Sequence, residues 1–182
     1  MGSFFYNNRF IADLIFRNMV ASLSITSNSS DETHRVGEII GSIADVSDLI
    51  LLIGQLGSGK TVFTRGIGDA MGVSGRVASP TFVIIRWHRG RMPLYHVDLY
   101  RIETSDDVEE LGLEEYFNDG VCVVEWADRS LEIFPRERLT VQFQYGDSPE
   151  QRVMHVEGKG ERYERIVGIL ESTFYNNKVS AR

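Results

Sequence analysis

Residues 54–61, Gly-Gln-Leu-Gly-Ser-Gly-Lys-Thr, satisfy the pattern G-x-x-x-x-G-K-[ST] in full, and that pattern describes a loop built to hold phosphate. A backbone without Cβ atoms turns tightly enough to aim successive N–H groups at phosphate oxygens, and the positive end of the following helix adds to their pull. Within such a loop Lys60 reaches the β- and γ-phosphates and the Thr61 hydroxyl holds Mg²⁺. The loop needs a strand to carry it and a helix to follow it. Residues 49–53, Leu-Ile-Leu-Leu-Ile, supply an uninterrupted apolar strand directly before it, and the spacing predicts a helix from Lys60 to about Met71, closed by Gly72.

A phosphate-binding loop does not say what the phosphate is used for. Nucleotide hydrolysis also needs a carboxylate at the carboxyl end of a neighbouring strand for the metal shell, and a group that orients the attacking water. Two acids qualify: Asp98 ends Leu94-Tyr95-His96-Val97, and Glu125 ends Val121-Cys122-Val123-Val124. Taken singly, each also fits a solvated strand-end acid.

The surrounding pattern predicts the elements that must position these residues. A short edge strand is expected at 23–26, and Ser29 with Glu32 forms a capping box that opens a helix to about Ile43. Residues 82–88 and 92–98 read as a hairpin around Arg89-Gly90, and 105–117 as a polar helix. A buried strand at 121–124 and a short helix at 127–133 follow. Strands at 139–144 and 152–156 are expected to pair, and 161–174 is a terminal helix with Tyr163, Ile166, Val167, Leu170 and Phe174 at helical spacing. Helices alternating with apolar strands imply an α/β fold: a three-layer P-loop NTPase-like architecture with a mixed, partly antiparallel sheet. The expected organisation is an N-terminal extension over 1–28, one domain over 29–175 and a tail over 176–182.

Composition narrows the partners. The chain has 182 residues, 42% of them hydrophobic, with a mean hydropathy of −0.15, enough for one domain with a proper core. A net charge of −7 and a pI near 5.1 argue against holding nucleic acid by bulk electrostatics, so any RNA contact would be local or through a partner. The single cysteine, Cys122, lies in an apolar run and fits a small buried hydrophobe in a reducing compartment. No apolar stretch approaches the ~18 residues a membrane span needs, and a cytoplasmic location is expected. The aromatic N-terminus, with Phe4, Phe5, Phe10 and Phe16 beside Arg9 and Arg17, makes a poor secretory signal. It fits an amphipathic extension or an over-extended start, with Met19 as the alternative first residue.

Four motifs in order carry a family resemblance: the loop at 54–61, Ser79-Pro80-Thr81-Phe82, His96-Val97-Asp98-Leu99-Tyr100-Arg101, and Glu125-Trp126. Together they resemble the TsaE family, the ATPase of the bacterial machinery that makes tRNA threonylcarbamoyladenosine. The resemblance spans about 30–156 and includes Thr33, similar to the family's threonine near the nucleotide. It implies an ATP- and Mg²⁺-dependent ATPase that joins the TsaD and TsaB subunits, meets tRNA only indirectly, and resets the complex between turnovers. Carried over by position, Asp98, Lys60 and Glu125 are the catalytic set. Thr61 and Glu125 hold Mg²⁺, Lys60 the phosphates, and Asp98 positions water or senses the γ-phosphate. The nucleotide site then comprises Thr33, Leu56, Gly57, Ser58, Gly59, Lys60, Thr61, Val62, Thr81 and Trp126, with residues 79–82 as a switch-like segment. Departures from the family pattern are Ser58, Gln55 and Asp128, and none touches the key positions.

The main alternative is a P-loop kinase of a nucleoside or small molecule, with Asp98 and Arg101 as a substrate clamp, but no arginine-rich lid appears late in the chain. A non-hydrolysing, ATP-gated binding module is a third reading. A GTPase is disfavoured because Asn177-Lys178 lacks the aspartate two residues on. Residues 86–91, Arg-Trp-His-Arg-Gly-Arg, form a basic, aromatic hairpin tip that fits a solvated turn, partner docking or a nucleic-acid contact.

Overall fold

The computed structural model describes residues 20–75, 77–80 and 83–179, with side chains as far as Phe174. Seven strands form one mixed sheet: β1 (Val20–Ser27), β2 (Leu49–Ile53), β3 (Ile85–Arg89), β4 (Pro93–Asp98), β5 (Val121–Glu125), β6 (Arg138–Tyr145) and β7 (Arg152–Lys159), in the spatial order β1-β7-β6-β2-β5-β4-β3. The strands β6, β2, β5 and β4 run parallel; β7 pairs antiparallel with β6 on one side, with β1 antiparallel to β7 beyond it, and β3 pairs antiparallel with β4 on the other. The central strand β2 is apolar on both faces because both are covered. Ile50 and Leu52 pack with α1 (Ser30–Ile43), α2 (Lys60–Ala70) and α4 (Glu161–Val179). Leu49 and Leu51 join Val97, Val124, Leu113 and Phe134 on the other face, against α3 (Ser105–Glu109) and short 3-10 turns. Cys122 is buried in that second layer, and burial pushes its thiol up to about 12.

Helices α1 and α2 approach closely through glycines. A Cβ on Gly37 would lie 2.2 Å from the Phe63 carbonyl oxygen, and one on Gly66 would lie 2.1 Å from that of His34. The helix that follows the phosphate-binding loop is thereby pressed against α1. Arg91, expected at a basic hairpin tip, is instead a clamp: its guanidinium donates to the carbonyls of Gly41 (2.8 Å), Ala44 (2.6 Å) and Ala70 (3.2 Å). Neither helix has a basic residue in its last turn, and Arg91 supplies that charge to both C-terminal ends. Arg86, Trp87 and Arg89 remain exposed on β3.

Several expectations are corrected. The helix expected over 105–117 ends at Glu109, because Gly112 at φ +60° redirects the chain into a 3-10 turn at Leu113–Glu115. The helix expected over 127–133 is two 3-10 turns. The Ser29 half of the capping box is present, but Glu32 accepts from the Asn28 backbone N–H at 2.7 Å instead of from Ser29. The boundary expected at residue 28 falls after an eight-residue strand, so 20–27 belong to the sheet.

That strand sets a limit on truncation. A chain beginning at Met19 is expected to melt like the full chain, whereas one beginning at Asn28 loses β1 and the burial of Leu23 and Ile25. At ~1.5–3 kcal/mol for each buried aliphatic side chain, the loss is ~3–6 kcal/mol, a large part of a domain's whole stability. Thermal denaturation reads the difference, and equal melting temperatures would show that β1 is not needed.

Candidate functional site

The loop between β2 and α2 has the conformation its glycines permit. Gly54, Gly57 and Gly59 lie at φ +147°, +74° and +107°, a region that side chains with a Cβ rarely enter. Gly59 takes the left-handed conformation as the N-cap of α2. From outside, the β6–β7 hairpin holds the loop: Tyr145 donates its hydroxyl to the Leu56 carbonyl at 2.7 Å, and Arg152 donates to the Gly57 carbonyl at 3.3 Å while its guanidinium lies over the Tyr145 ring. The cleft beside the loop has a volume of about 320 Å³. It brings residues 56–62 together with Ser79, Asp98, Tyr100, Glu125 and Trp126.

Lys60 folds back over its own loop. Its ammonium donates to the carbonyls of Gly54 (2.6 Å) and Gln55 (2.9 Å) and sits 3.8 Å from the centre of the Trp126 ring. Burial lowers its pKa, opposed by the negative charges of Glu125, Asp128 and Asp98. Trp126 reaches this place because its backbone turns left-handed, at φ +61°, straight after Glu125. The indole then packs on Tyr100, ring centres 4.9 Å apart.

The parallel register of β4 and β5 pairs Asp98 with Glu125 at the strand ends, and both carboxylates are almost fully buried. Glu125 accepts from Thr61 Oγ1 at 2.9 Å through Oε2 and from His96 Nε2 at 2.8 Å through Oε1; Thr64 Oγ1, which donates to the Lys60 carbonyl at 3.0 Å, lies 3.4 Å from Oε1. Asp98 accepts from the Tyr100 N–H at 3.0 Å through Oδ1 and from the Ser79 hydroxyl through Oδ2.

Thr33 stands beside the loop, not in the main cleft. Its hydroxyl bonds Ser27 Oγ and the Ser29 carbonyl at the β1–α1 junction, and its methyl faces Gly59. With Ser30, Val62, Glu150 and Arg152 it lines a neighbouring recess of about 110 Å³. Thr81 lies outside the described residues. Four contributors escaped the sequence reading. Thr64 carried a signal, since it lies three residues after Thr61 on one helix face. His96 stood inside a quoted motif without a role. Tyr145 and Arg152 face each other in the β6–β7 register, and only that long-range pairing reveals them.

The donor set suits phosphate and a hard cation. Ser58 Oγ is buried in the loop without a hydrogen-bond partner among the described residues, and the Lys60 ammonium rests on two carbonyls and an aromatic face. A bound phosphate would give both a stronger partner. A hydroxyl beside a carboxylate, Thr61 with Glu125, is oxygen chemistry that suits Mg²⁺. Among the described residues no cluster of three or more His, Cys, Asp or Glu side chains could hold a metal by itself, so a cation here would need further ligands. None of their helices is long and apolar enough to cross a membrane.

The model of the family described as "Threonylcarbamoyl adenosine biosynthesis protein TsaE" matches residues 27–154. A protein of Bacillus subtilis named "tRNA threonylcarbamoyladenosine biosynthesis protein TsaE" is 41% identical over 138 residues, 75% of this chain and 85% of that protein. One of the same name from Streptomyces coelicolor is 40% identical over 137 residues, 71% of this chain and 93% of that protein. The crystal structure of Bacillus subtilis YdiB superposes with a TM-score of 0.74 at 34% identity, covering 86% of this chain and 98% of YdiB. The match of the family model to most of the chain, the identity to these relatives and the shared fold together place this chain in the TsaE family.

Proposed function

We propose that this chain is the ATP-hydrolysing component of the machinery that makes tRNA threonylcarbamoyladenosine, acting with TsaD and TsaB and resetting their complex between turnovers. The observation that carries this reading is the convergence of Lys60, Thr61, Asp98 and Glu125 on one cleft beside a glycine loop. The names of its relatives point to the same pathway.

In this reading the loop N–H groups and Lys60 hold the β- and γ-phosphates of ATP. Thr61 and Glu125 would hold Mg²⁺, whose charge would offset that of the phosphates. Asp98 stands next to Glu125 and orients the attacking water once its contact with Ser79 is exchanged. Tyr100 and Trp126 shield Lys60 from solvent at the mouth of the cleft. The site lies in the aqueous interior of the cell, where tRNA is modified, and tRNA is met through the partner subunits.

Three outcomes are expected. Lys60→Ala removes the loop's own cation and should weaken Mg·ATP binding on the order of 100-fold, the worth of a charge-assisted contact of about 2–3 kcal/mol. Calorimetry that finds unchanged affinity would end the phosphate-loop assignment.

The two acids should separate. Glu125→Ala is expected to weaken the Mg²⁺ dependence of nucleotide binding, whereas Asp98→Asn should keep binding and lower hydrolysis by about 10²–10³-fold. The reverse pattern would exchange their roles, and normal turnover in both variants would refute the two-carboxylate site.

Alone, the chain should hydrolyse ATP slowly. Adding TsaD and TsaB should raise phosphate release, since a group supplied in trans can be worth ~10³–10⁵-fold. A phosphate-release assay with and without the partners checks this. No stimulation would remove the reset role, and transfer of phosphate to a nucleoside or another small acceptor would establish the kinase alternative.

A further inference from the structure

His96 has no part in the function proposed above, yet its ring is fully buried with Nε2 2.8 Å from Oε1 of Glu125. An ionised carboxylate only accepts, so the proton of this hydrogen bond sits on Nε2. Nδ1 is also enclosed and has no hydrogen-bond partner among the described residues. A proton there would be a buried donor without an acceptor. The imidazole is therefore a one-directional donor to Glu125.

This donor makes the two oxygens of Glu125 unequal. Oε1 is held by His96 and, at 3.4 Å, faces Thr64 Oγ1. Oε2 lies 2.9 Å from Thr61 Oγ1. The sheet register explains why a histidine serves here. His96 pairs with Val123 while Asp98 pairs with Glu125, so His96 sits one pleat back from Glu125 on the neighbouring strand and on the same face. An imidazole spans that diagonal, whereas a serine or asparagine side chain is shorter.

We infer that His96 is a positioning residue: by holding Oε1 of Glu125 it presents Oε2, next to the Thr61 hydroxyl, as the carboxylate oxygen offered to a divalent cation in the nucleotide site. This rests on the proposed assignment of Thr61 and Glu125 as the cation's holders. Without the imidazole N–H the carboxylate can rotate, and a buried oxygen loses its best partner. Groups that orient a metal ligand in this way typically change metal affinity by about 10–100-fold when removed.

The test is the affinity of the full chain for Mn²⁺ in the presence of saturating ADP, read by electron paramagnetic resonance. His96→Leu, His96→Gln and the reference variant Glu125→Gln are compared with the natural chain. His96→Leu should lose about 10–100-fold in Mn²⁺ affinity while binding metal-free ADP normally. The glutamine amide can also donate to Oε1, so His96→Gln should return to within about threefold of the natural chain. Full Mn²⁺ affinity in His96→Leu, or equal weakness in both His96 variants, would overturn the inference. Ring ¹⁵N shifts of the unsubstituted, metal-free protein give a second reading that does not depend on a variant folding. They should place the His96 proton on Nε2. A proton on Nδ1 would overturn the inference and leave the proposed function standing, whereas an Mn²⁺ affinity indifferent to Glu125→Gln would overturn both.

Discussion

Glu125 is 2% exposed at the end of a strand covered on both faces, and a carboxylate can occupy such a place only if hydrogen bonds replace its hydration. Removing an ion from water costs several kcal/mol even after the protein relaxes. The replacing donors come from two other elements, Thr61 from α2 and His96 from β4. Shifting β4 by one residue against β5 would send His96 to the opposite face. Turning α2 would withdraw Thr61. The satisfaction of one buried charge thus ties the loop helix, the central strand's neighbour and the strand bearing Asp98 into a single arrangement.

The remaining contacts keep that arrangement from drifting. Glycines 37 and 66 let α1 and α2 touch backbone to backbone, so the start of the loop helix has little room to move. Arg91 fastens the far ends of both helices. On the other side, Tyr145 and Arg152 hold the Leu56 and Gly57 carbonyls of the loop itself, so the loop is braced from outside the cleft. The cleft is therefore shaped in advance, which reduces the ordering that binding would otherwise cost. Asp98 differs from Glu125 in being held by Ser79, a residue of the segment between α2 and β3, so its partner can change without disturbing the sheet.

The loop was legible in the sequence because its chemistry is local: glycines, a lysine and a threonine at fixed spacing after an apolar strand. Asp98 and Glu125 were legible because each ends a run of apolar residues. The use of His96 was not, since it depends on β4 lying beside β5 in one register. The role of Arg91 was hidden for a similar reason. Its partners are helix ends 21 and 50 residues away in the chain, and composition alone suggested a solvated tip. The break at Gly112 was misread as helix interior because a lone glycine there also fits a weakened helix. The strand at 20–27 is longer than the expected 23–26 because its ends, exposed Val20 and buried Ser27, depart from the apolar-in, polar-out alternation that Leu23 and Ile25 carry.

The proposed function requires that a nucleotide's phosphates and a divalent cation meet between the loop, Thr61 and Glu125. The most direct measurement is a crystal structure of the full chain with Mn²⁺ and a non-hydrolysable ATP analogue, the cation located by its anomalous scattering. A single cation held at Thr61 Oγ1 and Glu125 Oε2 beside the β- and γ-phosphates is expected, with the Lys60 ammonium moved from the Gly54 and Gln55 carbonyls to the phosphates. A cation elsewhere, or phosphates outside the loop with Lys60 still on its carbonyls, would contradict it.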